Sequence, residues 1–513
     1  MNTDASKVLI DGEWRESKTS TFFQAENPAT GEMLPTPYPV SPRDEVMDAL
    51  RAGAKAAEEL RGVEPECIAK FLEAYAVGIE QRATELVDMA HTETALPKTP
   101  RLKDAELPRT TDQLRQAARA AREGAWERAV RDEAAKLYST YAPLGGPVLV
   151  MGPNNFPFAF NSAAGGDFAA AIAARNPVIA KANTGHPGTT LIVAEIAFDA
   201  ARHLGLPLST IQLIYRTPRE VGLEMVAHPL VGATAFTGSK EAGLQLKAAA
   251  DRAGKPIYLE MSSINPVIVL EGALRERADA IAQEFFASCT AGTGQFCTNP
   301  GLVILPEGEL GERFVAAARQ KSEAAMPGIL LGRGVREGLI KAVQVLRQHG
   351  AELLCGGEGL PGQAARFANT ILRVTARTFL SHAQELQTEA FGPVSLFVSC
   401  RDVKEMATVV NNISGSLTGT IYSHPGGADD AAYAVIEPPL RARVGRLIND
   451  KMPTGVAVSP AMNHGGPFPA TGHPGFTAVG MPASIQRFAA LHCYDNVAPN
   501  RLPPALRPPA SAP

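Results

Sequence analysis

From residue 146 onward the 513-residue chain alternates short apolar runs with segments of helical period, and this alternation constrains the fold more than anything else in the sequence. Pro147-Val-Leu-Val-Met151 reads as a buried strand, followed by a Gly/Pro/Asn loop and a small-residue helix over about 162–175. Pro177-Val-Ile-Ala180 is the next strand, with a helix over about 188–204. Further strands are expected at 211–215, 233–236 and 257–259. Strands that alternate with helices form βαβ units, and these close into a parallel sheet. A second set starts near Pro266-Val-Ile-Val-Leu270, so two α/β domains are expected.

Upstream, Val8–Trp14 reads as strand, turn, strand, and Asn27–Glu32 as a turn cluster. Ser41 looks like a helix N-cap, with Pro42 at the first helical position and Asp44 three residues after the cap. A mostly helical, charge-rich stretch runs on to about residue 128. The Pro/Ala-rich segment from Pro499 reads as an extended or frayed tail.

Several classes are excluded. Lys+Arg 49 against Asp+Glu 53 leaves a net charge of −4, without the basic excess of a nucleic-acid binder. The most apolar long stretch, 158–182, is broken by Asn161, Asp167 and Arg175, and falls short of the ~20 apolar residues of a spanning helix. Residues 1–16 lack the apolar run of a signal peptide. The six cysteines have irregular spacing and form no CxxC pair, which suits a reducing, cytoplasmic setting. The ten histidines show no metal-ligand spacing, and no metal is expected.

Gly357-Glu-Gly-Leu-Pro-Gly362 satisfies GxGxxG, but Pro361 sits inside it and a strand-like run at 370–374 follows where a helix should open. Because the fingerprint needs a helix N-terminus for the pyrophosphate, a hairpin turn is expected instead. The informative cysteine is Cys297, within Ala291-Gly-Thr-Gly-Gln-Phe-Cys-Thr-Asn-Pro-Gly301. Gly292 and Gly294 permit positive φ, so backbone amides can point at a bound oxygen. Such amides favour a thiolate and stabilise an oxyanion. Local chemistry leaves two readings of Cys297 open, a nucleophile or a satisfied structural thiol. The other five cysteines read as packing.

Gly294-Gln-Phe-Cys297 and the preceding Leu259-Glu-Met-Ser-Ser-Ile-Asn-Pro266 resemble the active-site pair of the aldehyde dehydrogenase superfamily. Gly152-Pro-Asn-Asn-Phe-Pro157, Phe236-Thr-Gly-Ser239, Glu389-Ala-Phe-Gly-Pro393 and Pro453-Thr-Gly-Val456 fit in the same order, and the likeness covers about 7–495. Within the superfamily, Gln295–Gly301, Ser263–Pro266 and His464-Gly-Gly-Pro-Phe-Pro-Ala470 resemble a branch of NADP-preferring aldehyde dehydrogenases and dehydrogenases of 2,5-dioxopentanoate (α-ketoglutarate semialdehyde). Ser262 and Ser263 stand where the usual pattern has glycines, and Ala390 where a larger aliphatic residue is commoner.

The resemblance implies NAD(P)-dependent oxidation of an aldehyde to an acid. Cys297 adds to the carbonyl as a thiohemiacetal, Asn155 and the Cys297 N–H hold the oxyanion, and Glu260 activates water on the thioester. His464 either tunes Cys297 or Glu260, or caps a loop. For the cofactor, the resemblance implies Lys181 at a strand end, Gly238 and Ser239 beside the pyrophosphate, and Glu389 and Phe391 at the nicotinamide ribose. Thr184 replaces a Glu that binds the ribose hydroxyls in NAD-preferring relatives. A hydroxyl there, with Lys181 and Arg219, and Arg216 or His186 nearby, favours NADP, with NAD as the alternative. The aldehyde is 2,5-dioxopentanoate or an aliphatic one. A 2-oxo acid calls for an Arg or Lys at the tunnel mouth, and the sequence alone places none. A non-catalytic protein retaining the fold and a cofactor-independent esterase are the competing readings.

The implied fold is two doubly wound α/β domains, a Rossmann-like cofactor domain and a catalytic domain, plus a small β bridging element. The expected cofactor domain is 1–129 and 145–261, and the catalytic domain 262–450. Residues 451–482 return across the active site, 130–144 and 483–500 form the bridging element, and 501–513 are the tail. Lys136–Tyr141 is strand-like and suits sheet extension across a homodimer, alone or within a homotetramer, because a free strand edge is otherwise a liability.

Overall fold

The computed structural model describes residues 5–507. Its frame is two seven-stranded sheets. In the first, five parallel strands run in the order Ile257–Glu260, Ala233–Thr237, Val148–Met151, Val178–Lys181, Ile211–Ile214. The hairpin Val8–Ile10 and Glu13–Arg15 adds antiparallel beside Ile211–Ile214. Successive strands step to one side of Val148–Met151 and then return to its other side. The crevice between Val148–Met151 and Ala233–Thr237 is therefore the topological switch point, where doubly wound sheets bind ligands beyond their strand C-termini.

Val148–Met151 is buried at every position, because helices cover both faces of the sheet. Five of the eight residues of the covering helix Gly166–Ala173 are alanine or glycine, which lets it pack close. It is shorter than the expected 162–175. The Asn161 side chain accepts from Ala163 N (2.9 Å) and donates to Pro157 O (2.8 Å), holding 161–165 as turns.

The second sheet runs Glu352–Cys355, Thr370–Thr375, Val394–Cys400, Leu302–Pro306, Pro266–Val269, Ser416–Tyr422, Val444–Asn449. Its strands are parallel except Glu352–Cys355, which pairs antiparallel with Thr370–Thr375. Alternate residues feed separate cores: Ile268 and Ile304 pack into one, Val267, Val269, Val303 and Leu305 into the other. The GxGxxG segment lies in the connection between the antiparallel strands, the hairpin expected.

Three expectations are corrected. Ser41 does not cap the first long helix, Arg43–Leu60. Its N–H donates to Arg216 O (2.7 Å), Val40 bridges Arg216, and its hydroxyl is buried without a partner. The backbone at 40–41 follows the sheet edge, so helical geometry starts after Pro42. Lys136–Tyr141 offers no free edge either. The strand Leu137–Pro143 is the middle of a three-stranded sheet, flanked by Ala489–Asp495 and Val130–Asp132. Nor does the tail fray through its described part. Leu502 and Leu506 are buried against Tyr138, and Arg131 donates to the carbonyls of Ala505, Leu506 and Arg507. Residues 508–513 of the expected tail lie outside the described residues. Among the described residues, no helix is long and apolar enough to cross a membrane.

Candidate active site

The strand C-termini of the first sheet meet the strand N-termini of the second across a cavity of about 390 Å³. It is lined by Asn155, Gly238, Ser239, Glu260, Cys297, Glu389 and Phe391, among others. The structure thus gathers seven of the residues singled out in the sequence. His464 touches two of them from behind, while Lys181, Thr184 and Arg219 stand apart at neighbouring strand ends.

The Cys297 loop is held on several sides. After the helix Glu271–Thr290, Gly292, Thr293 and Gly294 take φ of 55°, 60° and 70° in succession. At Gly294 a Cβ would fall 2.2 Å from the Gly392 carbonyl carbon, so only glycine fits. Gln295 staples the turn, donating to Gly292 O (3.1 Å) and accepting from Leu331 N (2.8 Å). Asn265 donates to the carbonyls of Cys297 (2.8 Å) and Asn299 (2.9 Å). With the backbone anchored, the half-buried thiol faces the cavity. Cys289, by contrast, is buried in a core, which pushes its thiol up to about 12, so it is a packing residue. Cys67 and Cys493 are exposed, against the expectation that they pack.

His464 Nε2 lies 3.1 Å from Cys297 Sγ and 2.9 Å from Glu260 Oε1. Glu260 ends its strand, and an antiparallel bridge to Thr471 brings the 464–471 segment alongside. Burial alone would lower the imidazole, but the adjacent Cys297 and Glu260 charges outweigh it and raise His464 to about 10. One His464 nitrogen thus faces both the thiol and the carboxyl group, and the side chain is in contact with both Cys297 and Glu260.

Asn155 sits in the loop after Met151. Its amide donates to Gln295 O (2.8 Å), and its own carbonyl accepts from Arg101 Nη2 (3.0 Å). A side-chain amide has two N–H donors, so one is left for a bound oxygen. Ser263, where glycine is usual, donates its N–H to Glu389 Oε1 (3.2 Å), and its hydroxyl joins Asn265 to Leu417 N. Burial raises the Glu389 carboxyl against hydrogen bonds from Ser262 and Ser263.

These residues fit a dinucleotide. The helix Lys240–Arg252 opens at the cavity with Ser239 as its cap, accepting from Ala242 N (3.4 Å), and a helix start suits a pyrophosphate. The neighbouring helix Pro187–His203 is not available, because the buried Glu93 carboxylate already takes the N–H groups of Gly188 and Thr189. Lys181 is pushed down to about 8 by burial and by Arg216. Thr184 and Arg216 are exposed just past two adjacent strand ends, and Arg219 is exposed at the start of the helix Arg219–Ala227. His186 does not join them. It is buried, with Nε2 2.8 Å from Pro153 O.

The aldehyde dehydrogenase family model matches residues 14–448. The chain belongs to the aldehyde dehydrogenase family. It is 38% identical to the alpha-ketoglutaric semialdehyde dehydrogenase 2 of Azospirillum brasilense, over 98% of this chain and 96% of that protein. It is 34% identical to the alpha-ketoglutaric semialdehyde dehydrogenase of Acinetobacter baylyi, over 99% and 97%. Its fold is similar to the solved aldehyde dehydrogenase C of Pseudomonas syringae in complex with NAD+ and octanal. There the TM-score is 0.80 and the identity 21%, over 97% of this chain and 98% of that one.

Three arginines of this aldehyde dehydrogenase went unnoticed in the sequence. Arg101 pairs with the buried Glu106 and lies 4.4 Å over the Phe156 ring. Arg109 lies 5.0 Å over Phe160, and Arg446 donates to Thr454 O (3.2 Å). Burial lowers both Arg109 and Arg446, and the charge of Cys297 acts against it in each case. Thr454 also lines a second cavity, of about 310 Å³, on the Phe296 and Thr298 side of the cysteine loop. In a charge-rich helical stretch, arginines such as Arg101 and Arg109 read as a solvated face, so local pattern carried no signal for those two.

Proposed function

We propose that this aldehyde dehydrogenase oxidises 2,5-dioxopentanoate to 2-oxoglutarate, with NADP preferred over NAD. The observation that carries the catalytic reading is the single His464 nitrogen within hydrogen-bond distance of both Cys297 Sγ and Glu260 Oε1, beside the switch-point cavity. The substrate rests on the two semialdehyde dehydrogenases to which the chain is similar along almost its whole length.

Cys297, beside the His464 imidazole, adds through its sulfur to the aldehyde carbon to form a thiohemiacetal. Asn155 and the Cys297 N–H hold the oxyanion. The dinucleotide, when bound, accepts the hydride. Glu260 takes a proton from water as the water adds to the resulting thioester, and cleavage of the C–S bond returns the thiolate and releases the acid. Gly238 and Ser239 hold the pyrophosphate, and Glu389 and Phe391 the nicotinamide ribose. Lys181, Thr184 and Arg219 hold the 2′-phosphate, where a carboxylate would repel it.

The division into cofactor domain, catalytic domain, returning segment and bridging element is proposed with the boundaries given above. The enzyme works in the cytoplasm as a homodimer or homotetramer. The open edge Ala489–Asp495, with Leu491 exposed, supports such pairing in place of Lys136–Tyr141.

The test is a steady-state panel of 2,5-dioxopentanoate, pentanal and benzaldehyde, each with NADP and NAD. The expected result is highest kcat/KM for 2,5-dioxopentanoate with NADP. A preference for NAD above about tenfold (~1.4 kcal/mol) overturns the cofactor reading, and a preference for pentanal overturns the substrate.

A further inference from the structure

Arg109 and Arg446 are half-buried guanidinium groups, and among the described residues neither has a carboxylate within ion-pair distance. Arg109 Nε donates to Gln113 Oε1 (3.3 Å), while its Nη2 is buried with no acceptor. Arg446 reaches Thr454 O and, at 3.6 Å, Met462 Sδ, and its Nε is buried with no acceptor. The nearby Glu106 is already spent. Its oxygens take Arg101 and the N–H groups of Phe158 and Ala159.

A buried cation without a partner is costly, and proteins keep such groups paired. Here two are kept unpaired, and they come from opposite halves of the molecule. Arg109 is on the helix Leu107–Glu123, and Arg446 on the strand Val444–Asn449 of the second sheet. Arg446 shares the Thr454 carbonyl with Thr298 Oγ1 (3.1 Å), the residue that follows Cys297. Arg109 borders an apolar wall. Phe160 beneath it lies 5.8 Å, centroid to centroid, from His464, and 5.1 Å from Phe156. Free guanidinium donors and aromatic rings near a reactive thiol suit a short methylene chain ending in a carboxylate, which the planar fork of arginine binds in a bidentate way.

We propose that Arg109 and Arg446 form an anion subsite for the carboxylate at the far end of the substrate, so that the enzyme selects aldehydes carrying one. This rests on the reading of Cys297 as the nucleophile. In 2,5-dioxopentanoate four carbon–carbon bonds separate the aldehyde carbon from the carboxylate carbon. Because that group lies away from the reacting centre, its contacts act on KM more than on kcat.

The experiment compares kcat/KM for 2,5-dioxopentanoate, succinate semialdehyde and pentanal in wild type, Arg109→Met, Arg109→Lys and Arg446→Met. The ratio of each carboxylated aldehyde to pentanal should fall roughly 100-fold in the methionine variants, mostly through KM, and less in Arg109→Lys. A second arm follows 2-oxoglutarate binding by calorimetry to Cys297→Ser, with and without Arg109→Met, and needs no turnover. Binding lost with Arg109→Met supports the subsite. An unchanged aldehyde ratio, or unchanged 2-oxoglutarate binding, overturns it. If wild type prefers another aldehyde, the substrate reading fails, and the succinate semialdehyde ratio and the calorimetry still decide for or against the anion subsite.

Discussion

In the first sheet, helices begin at the strand ends that face the cavity; in the second, the helix that leads into the Cys297 loop finishes there. The helix Lys240–Arg252 therefore brings the positive end of its dipole to the cofactor side. Cys297 comes shortly after the C-terminus of Glu271–Thr290, where the dipole is negative. The helix that leads into Cys297 therefore offers it no positive dipole end. Positive charge must come from side chains, and His464, Arg109 and Arg446 bring it from three distant parts of the chain. Anions are held largely by backbone on one side of the cavity and by side chains on the other, so single substitutions should damage the second side far more than the first.

The largest effect is expected at the thiol. Cys297→Ala should lower kcat by at least about 10⁴-fold, followed by NADPH absorbance, and turnover within tenfold of wild type would remove the thiohemiacetal from the mechanism. Next comes Asn155→Ala, expected to cost about 10²–10³ in kcat, as for one oxyanion donor. An effect confined to KM would instead make Asn155 a binding residue.

His464→Gln should slow alkylation of Cys297 by iodoacetamide at pH 7 by about tenfold or more. It should also change stability in a pH-dependent way. The folded protein holds the His464 proton more tightly than the unfolded chain, about 10 against the usual 6.5. The stability this supplies is complete below pH 6.5 and is lost as pH rises through about 10. The gap between wild type and His464→Gln in urea unfolding should shrink along that range, and a gap that stays constant would exclude that tightly held proton.

On the backbone side the effects are smaller. Thr184→Glu with Arg219→Ala should shift the NADP-to-NAD ratio of kcat/KM by about tenfold (~1.4 kcal/mol) towards NAD. No shift would place the 2′-phosphate elsewhere. Smallest is Ser41→Ala, where thermal unfolding should move by less than about 0.5 kcal/mol, since the hydroxyl has no partner. A loss near 1 kcal/mol would restore its role as a cap.

Much of the frame was legible because strand patterns are local. The strands at 148–151, 178–181 and 257–260 lie within a residue or so of where apolar runs place them. Cys297, Glu260 and Asn155 stand in short motifs, each set by its own turn. Ser41 misled because a capping pattern competes with a pairing to Arg216 that is distant in sequence. Lys136–Tyr141 misled because strand character is visible in sequence whereas the number of neighbours is not. His186 looked free because nothing local announces the Pro153 carbonyl.

The sequence by itself determined the alternating α/β frame, the glycine-rich turns and the residue types that can do thiol chemistry. These follow from side-chain period, steric size and functional group, all properties of a few consecutive residues. Only the tertiary structure decided which charges meet. It put His464 between Cys297 and Glu260, left Arg109 and Arg446 without a carboxylate partner among the described residues, and paired Arg101 with Glu106. Electrostatic interaction depends on distance and on exclusion from water, and both exist only once segments far apart in the chain have packed together.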